Sequence, residues 1–477
     1  MLSGLVVAMA LIPEAISFSI IAGVDPRVGL FASFTMAVTI AIVGGRPAMI
    51  SAATGAIALV IAPLAREYGL DYFIAAVILA GVLQILLSVL GVARLMRFIP
   101  RSVMVGFVNA LAILIFLSQL PHLLGVPALV YPFVAVGVLI MVLLPKLTTA
   151  VPAPLVAIVG LTGAAVLLGV DLPNVADQGE LPRSLPSLFV PDVPFSIETL
   201  SIIAPYALAM ALVGLLESLM TAKLVDDITD THSDKTRESW GQGVANVVTG
   251  FFGGMGGCAM IGQTMINVKV SGARTRISTF VAGVSLLGLI VGLGDVVGLI
   301  PMAALVAVMI MVSLATVDWH SIAPSTLRRM PRSETLVMVA TVAVTVFSHN
   351  LAYGVIVGSL TAMVLFARRV AHLVTVERAE ETKDADGNTI SVVYRVTGEL
   401  FFASSNDLVY QFDYLGDPEN VVIDMSDSHI WDASTVASLD AITTKYAAKH
   451  KNVEIIGLNQ DSADRHDRLS GQLGAAE

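Results

Sequence analysis

The chain has 477 residues, of which 56% are hydrophobic and only 13% charged, a balance that excludes a soluble globular protein. Its formal net charge of −10 sits in the tail: from Glu377 onward there are 8 Lys/Arg against 19 Asp/Glu, net −11, which leaves the remainder near +1. An acidic tail gives no footprint for nucleic acid, and the single cysteine, Cys258, excludes an internal disulfide framework and a cysteine-based metal cluster.

In chain order, apolar runs predict helical segments at roughly 3–22, 28–44, 54–66, 72–93, 101–120, 129–145 and 152–169. A polar, proline-rich excursion follows from Asp171 to Pro194. A second set is predicted at roughly 199–225, 238–252, 263–270, 274–293, 298–315, 333–349 and 352–372. The first segment lacks a basic leader and carries Pro13-Glu14 in mid-run, so it reads as a retained helix and not a signal peptide.

Fourteen segments put both termini on one side of a membrane, and the cations agree. One side collects Arg46, Arg94, Arg97, Arg101, Lys146, Lys223, Lys235, Arg237, Arg274, Arg276, Arg328, Arg329, Arg332, Arg368 and Arg369. The other collects Arg27, Arg66 and Arg183 with the acidic 171–194 loop. The expected topology is multi-pass in a cell inner membrane, with both termini cytoplasmic.

Two segments are too short to span. Phe252 to Thr275 carries Gly253, Gly254, Gly256, Gly257 and Gly262 before a helical stretch opening near Gln263 and Thr264. Ser51 to Pro63 is its early counterpart, with Ser51, Thr54 and Gly55 ahead of an apolar run. Unwound backbone at membrane depth is tolerated only where protein encloses it, and a half-helix starting there aims free N–H groups and a positive dipole end inward. Two such segments in corresponding halves point to a transporter's binding site. Internal matches support the halves: Phe98-Ile99-Pro100 resembles Leu299-Ile300-Pro301 at an offset of 201, and Glu14 pairs with Glu217 at 203. Seven segments per repeat is odd, so the repeats are inverted.

Glu217 lies in AMALVGLLESLMTAKL, where a carboxylate is costly unless paired, neutralised or facing water. That makes it the candidate proton carrier; the alternative is a structural bond to Thr221, Lys223 or Lys269. Glu14 follows Pro13, which frees a carbonyl in its helix. It either takes part directly or is a hydrogen-bonded glutamate at the repeat interface. Ser17 and Phe18, one turn on, either line the same cavity or pack in the core. Lys269 either attracts anions or snorkels to the cytoplasmic end, the latter being favoured. His122, His320 and His349 stand singly, without metal-ligand spacing. No P-loop, Rossmann fingerprint or nucleophile elbow is present, which leaves ATP-driven pumping unsupported.

The tail predicts strands around 390–396, 398–403, 421–426 and 453–457, with helices near 405–413 and 433–448. Asp432-Ala433-Ser434-Thr435 has the form of a helix cap. The expected division is a transmembrane domain at 1–372 (repeats at about 1–170 and 199–372), a linker at 373–388 and a soluble α/β domain at 389–477.

VVIDMSDSHIWDASTVASL is similar to the STAS domain shared with bacterial anti-sigma-factor antagonists, where a serine at the Ser434 position accepts phosphate. Transporter STAS domains are not generally phosphorylated there, so Ser434 is read as part of the cap. PEAISFSIIAGVDPRVGLFAS and GQGVANVVTGFFGG, followed by the short helix and GART, resemble the bacterial branch of the sulfate permease (SulP) family of anion transporters. That family usually begins further upstream, so a short leader is expected ahead of Met1. The resemblance implies a seven-plus-seven inverted repeat with core and gate bundles, and an anion held between the N-termini of the third and tenth segments. Carried over, the site is Phe18, Thr54, Gly55, Gly262, Gln263 and Thr264, with Glu217 and Glu14 as proton-coupling candidates. Many relatives have Gln where Glu14 stands and Ser where Gln263 stands. The extra carboxyl at Glu14 and the acidic Glu217, with no sodium-site Asp pair evident, tilt the reading toward proton-coupled symport of a dicarboxylate such as fumarate or succinate. Sulfate, bicarbonate or chloride transport or exchange is the alternative, as is an anion-gated channel or sensor. Paired glutamates are the only argument for an intramembrane enzyme, and no nucleophile or metal set accompanies them. No cofactor or metal is expected; the partners are the anion, the proton, the bilayer and a second copy in a homodimer.

Overall fold

The computed structural model describes all residues except 92, 93, 95–98, 149–151, 183, 372, 373, 386, 388 and 473–477. Arg97, Phe98 and Arg183, which entered the sidedness and repeat readings, lie outside the described residues. The chain divides into two units, Met1–Ser359 and Leu360–Glu477.

In the first unit, α1 (Leu2–Ala22) and α2 (Pro26–Val43) are followed by a two-residue strand β1 (Ser51–Ala52) and α3 (Gly55–Val89). Then come α4 (Arg101–Gln119), α5 (Val130–Leu147) and α6 (Ala153–Leu168). The second half holds α7 (Ile197–Thr229), α8 (Lys235–Phe251), strand β2 (Cys258–Ala259) and the short α9 (Ile261–Met265), which runs on as a π-turn over Ile266–Val270. It continues with α10 (Arg276–Gly298), α11 (Met302–Thr316), α12 (Trp319–Ile322), α13 (Pro324–Arg329), α14 (Arg332–Ser348) and α15 (Leu351–Ala371). Among the described residues eight helices are long and apolar enough to cross a membrane. Helices suit that setting because they satisfy their backbone internally.

The segments predicted at 54–66 and 72–93 are joined without a loop. Gly69, at φ +83°, bends the 35-residue α3, a left-handed backbone that costs glycine nothing. α3 packs against α7 and α8, and α1 packs on α10 and α2. The ends of α2 separate two sets of charges. At its start Arg27 pairs with Glu180 of the 171–194 excursion, and Arg66 donates to Ile21. At its end Arg276 reaches the carbonyl of Ala41 and Arg237 that of Val43, close in sequence to an Arg46–Asp226–Lys235 ion cluster. This places four of the cations grouped together in the sequence reading on one end, opposite Arg27.

The second unit holds a four-stranded sheet of β3 (Thr375–Lys383), β4 (Thr389–Leu400), β5 (Asn420–Ile430) and β6 (Asn452–Ile456), in that order. β3 pairs antiparallel with β4; the other two pairs are parallel. The expected linker at 373–388 is thus corrected: most of it is an edge strand, too highly charged to carry the alternation that marks strands. The strands expected at 390–396 and 398–403 are one, because Gly398 continues the ladder opposite Ser428. α16 (Phe402–Leu408), α17 (Ala433–Ala447) and α18 (Gln460–Leu469) complete the domain. Asp432 caps α17 by accepting from the Thr435 N–H at 3.1 Å, while Ser434 is exposed. Inside, the buried Asp417 carboxylate accepts from the hydroxyls of Tyr394 and Tyr446 at 3.0 and 2.5 Å. Burial pushes the Tyr414 hydroxyl up to about 12 and Tyr446 up as well, so both stay neutral donors at any working pH.

Candidate functional site

The site is built on a crossing of β1 and β2. They pair antiparallel, Ser51 with Ala259 and Ala52 with Cys258, and the Met260 N–H adds a bond to the Ile50 carbonyl at 2.8 Å. Each strand is two residues long and runs straight into a helix, α3 after β1 and α9 after β2. The N–H groups of a helix's first turn have no partner inside the helix, so two sets of orphan donors open at one place.

Five of the expected residues gather there. Thr54 is the N-cap of α3; its hydroxyl accepts from the Ile57 N–H at 3.4 Å. Gly55 follows, and a Cβ built on it would lie 2.9 Å from Cε1 of Phe18, so the Phe18 ring of α1 rests on the opening of α3. Gly262 is exposed, with open space around a would-be Cβ, at the opening of α9. Gln263 is buried near Glu14, and its Oε1 has no hydrogen-bond partner. The two positions at which the sequence departs from the family pattern are therefore neighbours.

Thr264 stands differently. Its hydroxyl accepts from the Ile50 N–H at 3.0 Å and lies 3.5 Å from the Ile50 carbonyl, and its own N–H donates to the Met260 carbonyl at 3.1 Å, so it holds the crossing. Lys269 is exposed, as a snorkelling residue would be. Ser17 donates to the Pro13 carbonyl at 2.8 Å.

Glu217, 6% exposed, reaches the crossing through Cys258. The Cys258 thiol donates to Glu217 Oε2 at 3.0 Å and lies 3.1 Å from the Thr54 hydroxyl. None of the structural partners expected for Glu217 touches its carboxylate: Thr221 bonds the Glu217 backbone carbonyl instead, and Lys223 and Lys269 are exposed. Among the described residues Arg46 is the only buried lysine or arginine, and it is committed to Asp226, Thr229 and Thr231. Charge at the crossing is thus met by dipoles and neutral donors.

Sequence reasoning does not single out Cys258 beyond its lack of a disulfide partner, nor the polar face of α8. Glu238, Gln242, Asn246 and Thr249 recur at intervals of 4, 4 and 3 residues, which puts them on one face, and all four are fully buried. Glu238 accepts the N–H groups of Gly45 and Arg46 at 2.7 and 2.9 Å. Gln242 donates to Ser51 at 2.7 Å. Asn246 holds the Gly257 peptide by both ends, accepting its N–H at 2.8 Å and donating to its carbonyl at 3.0 Å. Thr249 shares a bond with Thr35 of α2. The signal available was a polar residue every fourth position in a stretch otherwise read as an apolar span.

Residues 1–143 and 126–341 match the sequence profile described as the Sulfate permease family, and residues 379–470 match the STAS domain. The chain is 53% identical over 461 residues to the protein named "Putative sulfate transporter YbaR" of Bacillus subtilis (strain 168), covering 97% of this chain and 94% of that one. It is 25% identical over 521 residues to "Bicarbonate transporter BicA" of a Picosynechococcus strain, covering 98% and 89%. The fold is also that of the murine Solute Carrier 26 family member A9 anion transporter in the inward-facing state, with a TM-score of 0.81 at 17% identity over 98% of this chain and 86% of that one.

Proposed function

The chain belongs to the sulfate permease family, a family of membrane transporters and not enzymes, and from that premise we propose that it is a secondary anion transporter coupled to protons. The observation that carries the reading is the crossing: two half-helices open there with first-turn N–H groups that their own helices do not pair, and Glu217 joins it through Cys258. The anion sits between the openings of α3 and α9, held by N–H groups near Gly55, Gly262 and Gln263 and by the Thr54 hydroxyl, with Phe18 closing one side. The transmembrane unit works by alternating access in an inverted seven-plus-seven arrangement of core and gate. Both termini are cytoplasmic, the membrane is a bacterial inner membrane, and the protein is a homodimer.

Coupling follows from charge. A charged Glu217 about 6 Å from the anion repels it by on the order of 3 kcal/mol at an effective dielectric constant of about 20, or roughly 10² in affinity. Protonation removes the repulsion, so proton and anion each raise the other's affinity by the same factor.

Sulfate is the substrate favoured by the name of the 53% identical relative. A four-carbon dicarboxylate such as fumarate or succinate is the second reading, favoured by the extra carboxyl that Glu14 adds on α1, which packs against α9. Uptake of labelled sulfate, bicarbonate, fumarate and succinate into proteoliposomes, with and without an inward proton gradient, tests both. Proton-driven accumulation of one of them is expected. Passive flux of every anion, insensitive to pH, would sink the coupled reading in favour of a channel.

A further inference from the structure

Thr54, Cys258 and Glu217 form a continuous buried hydrogen-bonded line, 3.1 and 3.0 Å in its two steps, from the opening of α3 to the carboxylate. Its far end is pinned, because the Ile57 N–H donates into the Thr54 oxygen at 3.4 Å. Cys258 and Thr54 are 0% and 2% exposed, so water does not compete for these bonds. Each of the two middle groups has one proton to give, so the line has a direction.

We propose that this line is the coupling device, that its direction is set by Glu217, and that Cys258 is the residue that transmits it. The proposal rests on the proton-coupled reading above. With Glu217 ionised, the thiol must donate to the carboxylate. The Thr54 hydroxyl then donates to the sulfur, and Thr54 turns only a lone pair toward the space at the α3 opening. A proton from the aqueous phase on Glu217 Oε2 reverses every step. The carboxylic O–H donates to sulfur, the S–H donates to the Thr54 oxygen, and the Thr54 O–H is released to the anion. The thiol and hydroxyl only turn; apart from the O–H formed on Glu217, no covalent bond is made or broken. An anion meets a lone pair in one state and a donor in the other, which adds a short-range contribution to the charge repulsion.

Other ionisable groups do not interrupt the line. Glu14 on α1 lies near Gln263. Glu238 on α8 is engaged with Gly45, Arg46 and Gln242. Lys223 of α7 and Lys269 after α9 are exposed.

The test uses the full chain in proteoliposomes, with radiolabelled sulfate and fumarate as probes and three substitutions at one position. Cys258→Ser keeps a group that both donates and accepts; Cys258→Ala and Cys258→Val cut the line, Val filling the volume Ala leaves empty. The serine variant is expected to accumulate anion under an inward proton gradient within about twofold of the unmodified protein. The alanine and valine variants are expected to keep the part of the acid-induced rise in affinity that comes from neutralising Glu217 but to lose the donor's share, about tenfold. Alanine and valine variants with unmodified pH dependence, alongside a Glu217→Gln protein that is uncoupled, would overturn the role of Cys258 alone. A serine variant as uncoupled as alanine would do the same. No proton-driven uptake in the unmodified protein would take down the transport reading and this one together.

Discussion

The two halves of the crossing are built by opposite means. The α3 half caps itself, since Thr54 closes its own helix and a long helix follows, although its strand also takes bonds from Gln242 and Thr264. The α9 half owns almost nothing. Its N-cap, Met260, has no side-chain bond, its helix lasts five residues, and a π-turn takes over. Its backbone is held from elsewhere, Gly257 by Asn246 and Ala259 by Ser218. One half of the site is thus fixed by local sequence and the other by tertiary contacts, so the second is the half that a substitution at a distance can move.

The strongest way to break this comparison is Gly257→Ala. A Cβ there would lie 1.9 Å from the carbonyl oxygen of Ala52, so the crossing cannot close. No monodisperse protein is expected by size-exclusion chromatography; a well-folded, active variant would show that the halves are not locked together. Next is Glu217→Gln, which mimics the protonated carboxyl. Exchange should persist while accumulation driven by a pH gradient is lost, and retained accumulation would make Glu14 the coupling candidate.

A smaller effect separates borrowed support from owned support. Asn246→Asp still accepts from Gly257 but cannot donate to its carbonyl or to Gln84, its other partner at 2.9 Å. KM for the anion should rise by roughly tenfold, since about 1–2 kcal/mol of positioning is lost. Thr249→Val, on the same face but bonded to α2, should leave KM alone; equal shifts in both would mean that α8 acts only through general stability. Thr54→Val removes an owned cap, so a drop of about 1 kcal/mol in thermal stability should accompany its weaker binding. Deleting 373–477 should do least: expression or rate falls, but the order of substrate preference in a competition assay stays the same.

Legibility followed the same division. Long apolar runs announce helices by length alone, and the positions of α1, α2, α8 and α11 differ from expectation by only a few residues. The charged stretch Arg66-Glu67-Tyr68-Gly69-Leu70-Asp71 reads as a loop, which hid the union of two segments across the Gly69 bend. The glycine run before Cys258 revealed a break in the second half, but a strand of two residues has no period to read. Thr54 and Gly55 were readable because they serve the helix they begin. Cys258, Gln242 and Asn246 were not, since their partners lie far along the chain. The bond from the Ile50 N–H to the Thr264 hydroxyl was illegible for the same reason, since Ile50 stands more than 200 residues earlier.

The pairing of Ser51 with Ala259 also sets a timetable. At about 5–20 residues per second, a ribosome needs roughly 10–40 s to make the 207 residues between them, and during that interval β1 has no strand to pair with. The nascent first half must wait with open backbone groups, sheltered by water, by neighbouring helices or by insertion machinery. A stalled ribosome or premature stop before β2 would leave that edge permanently bare, and quality-control proteases could recognise the orphaned half by it.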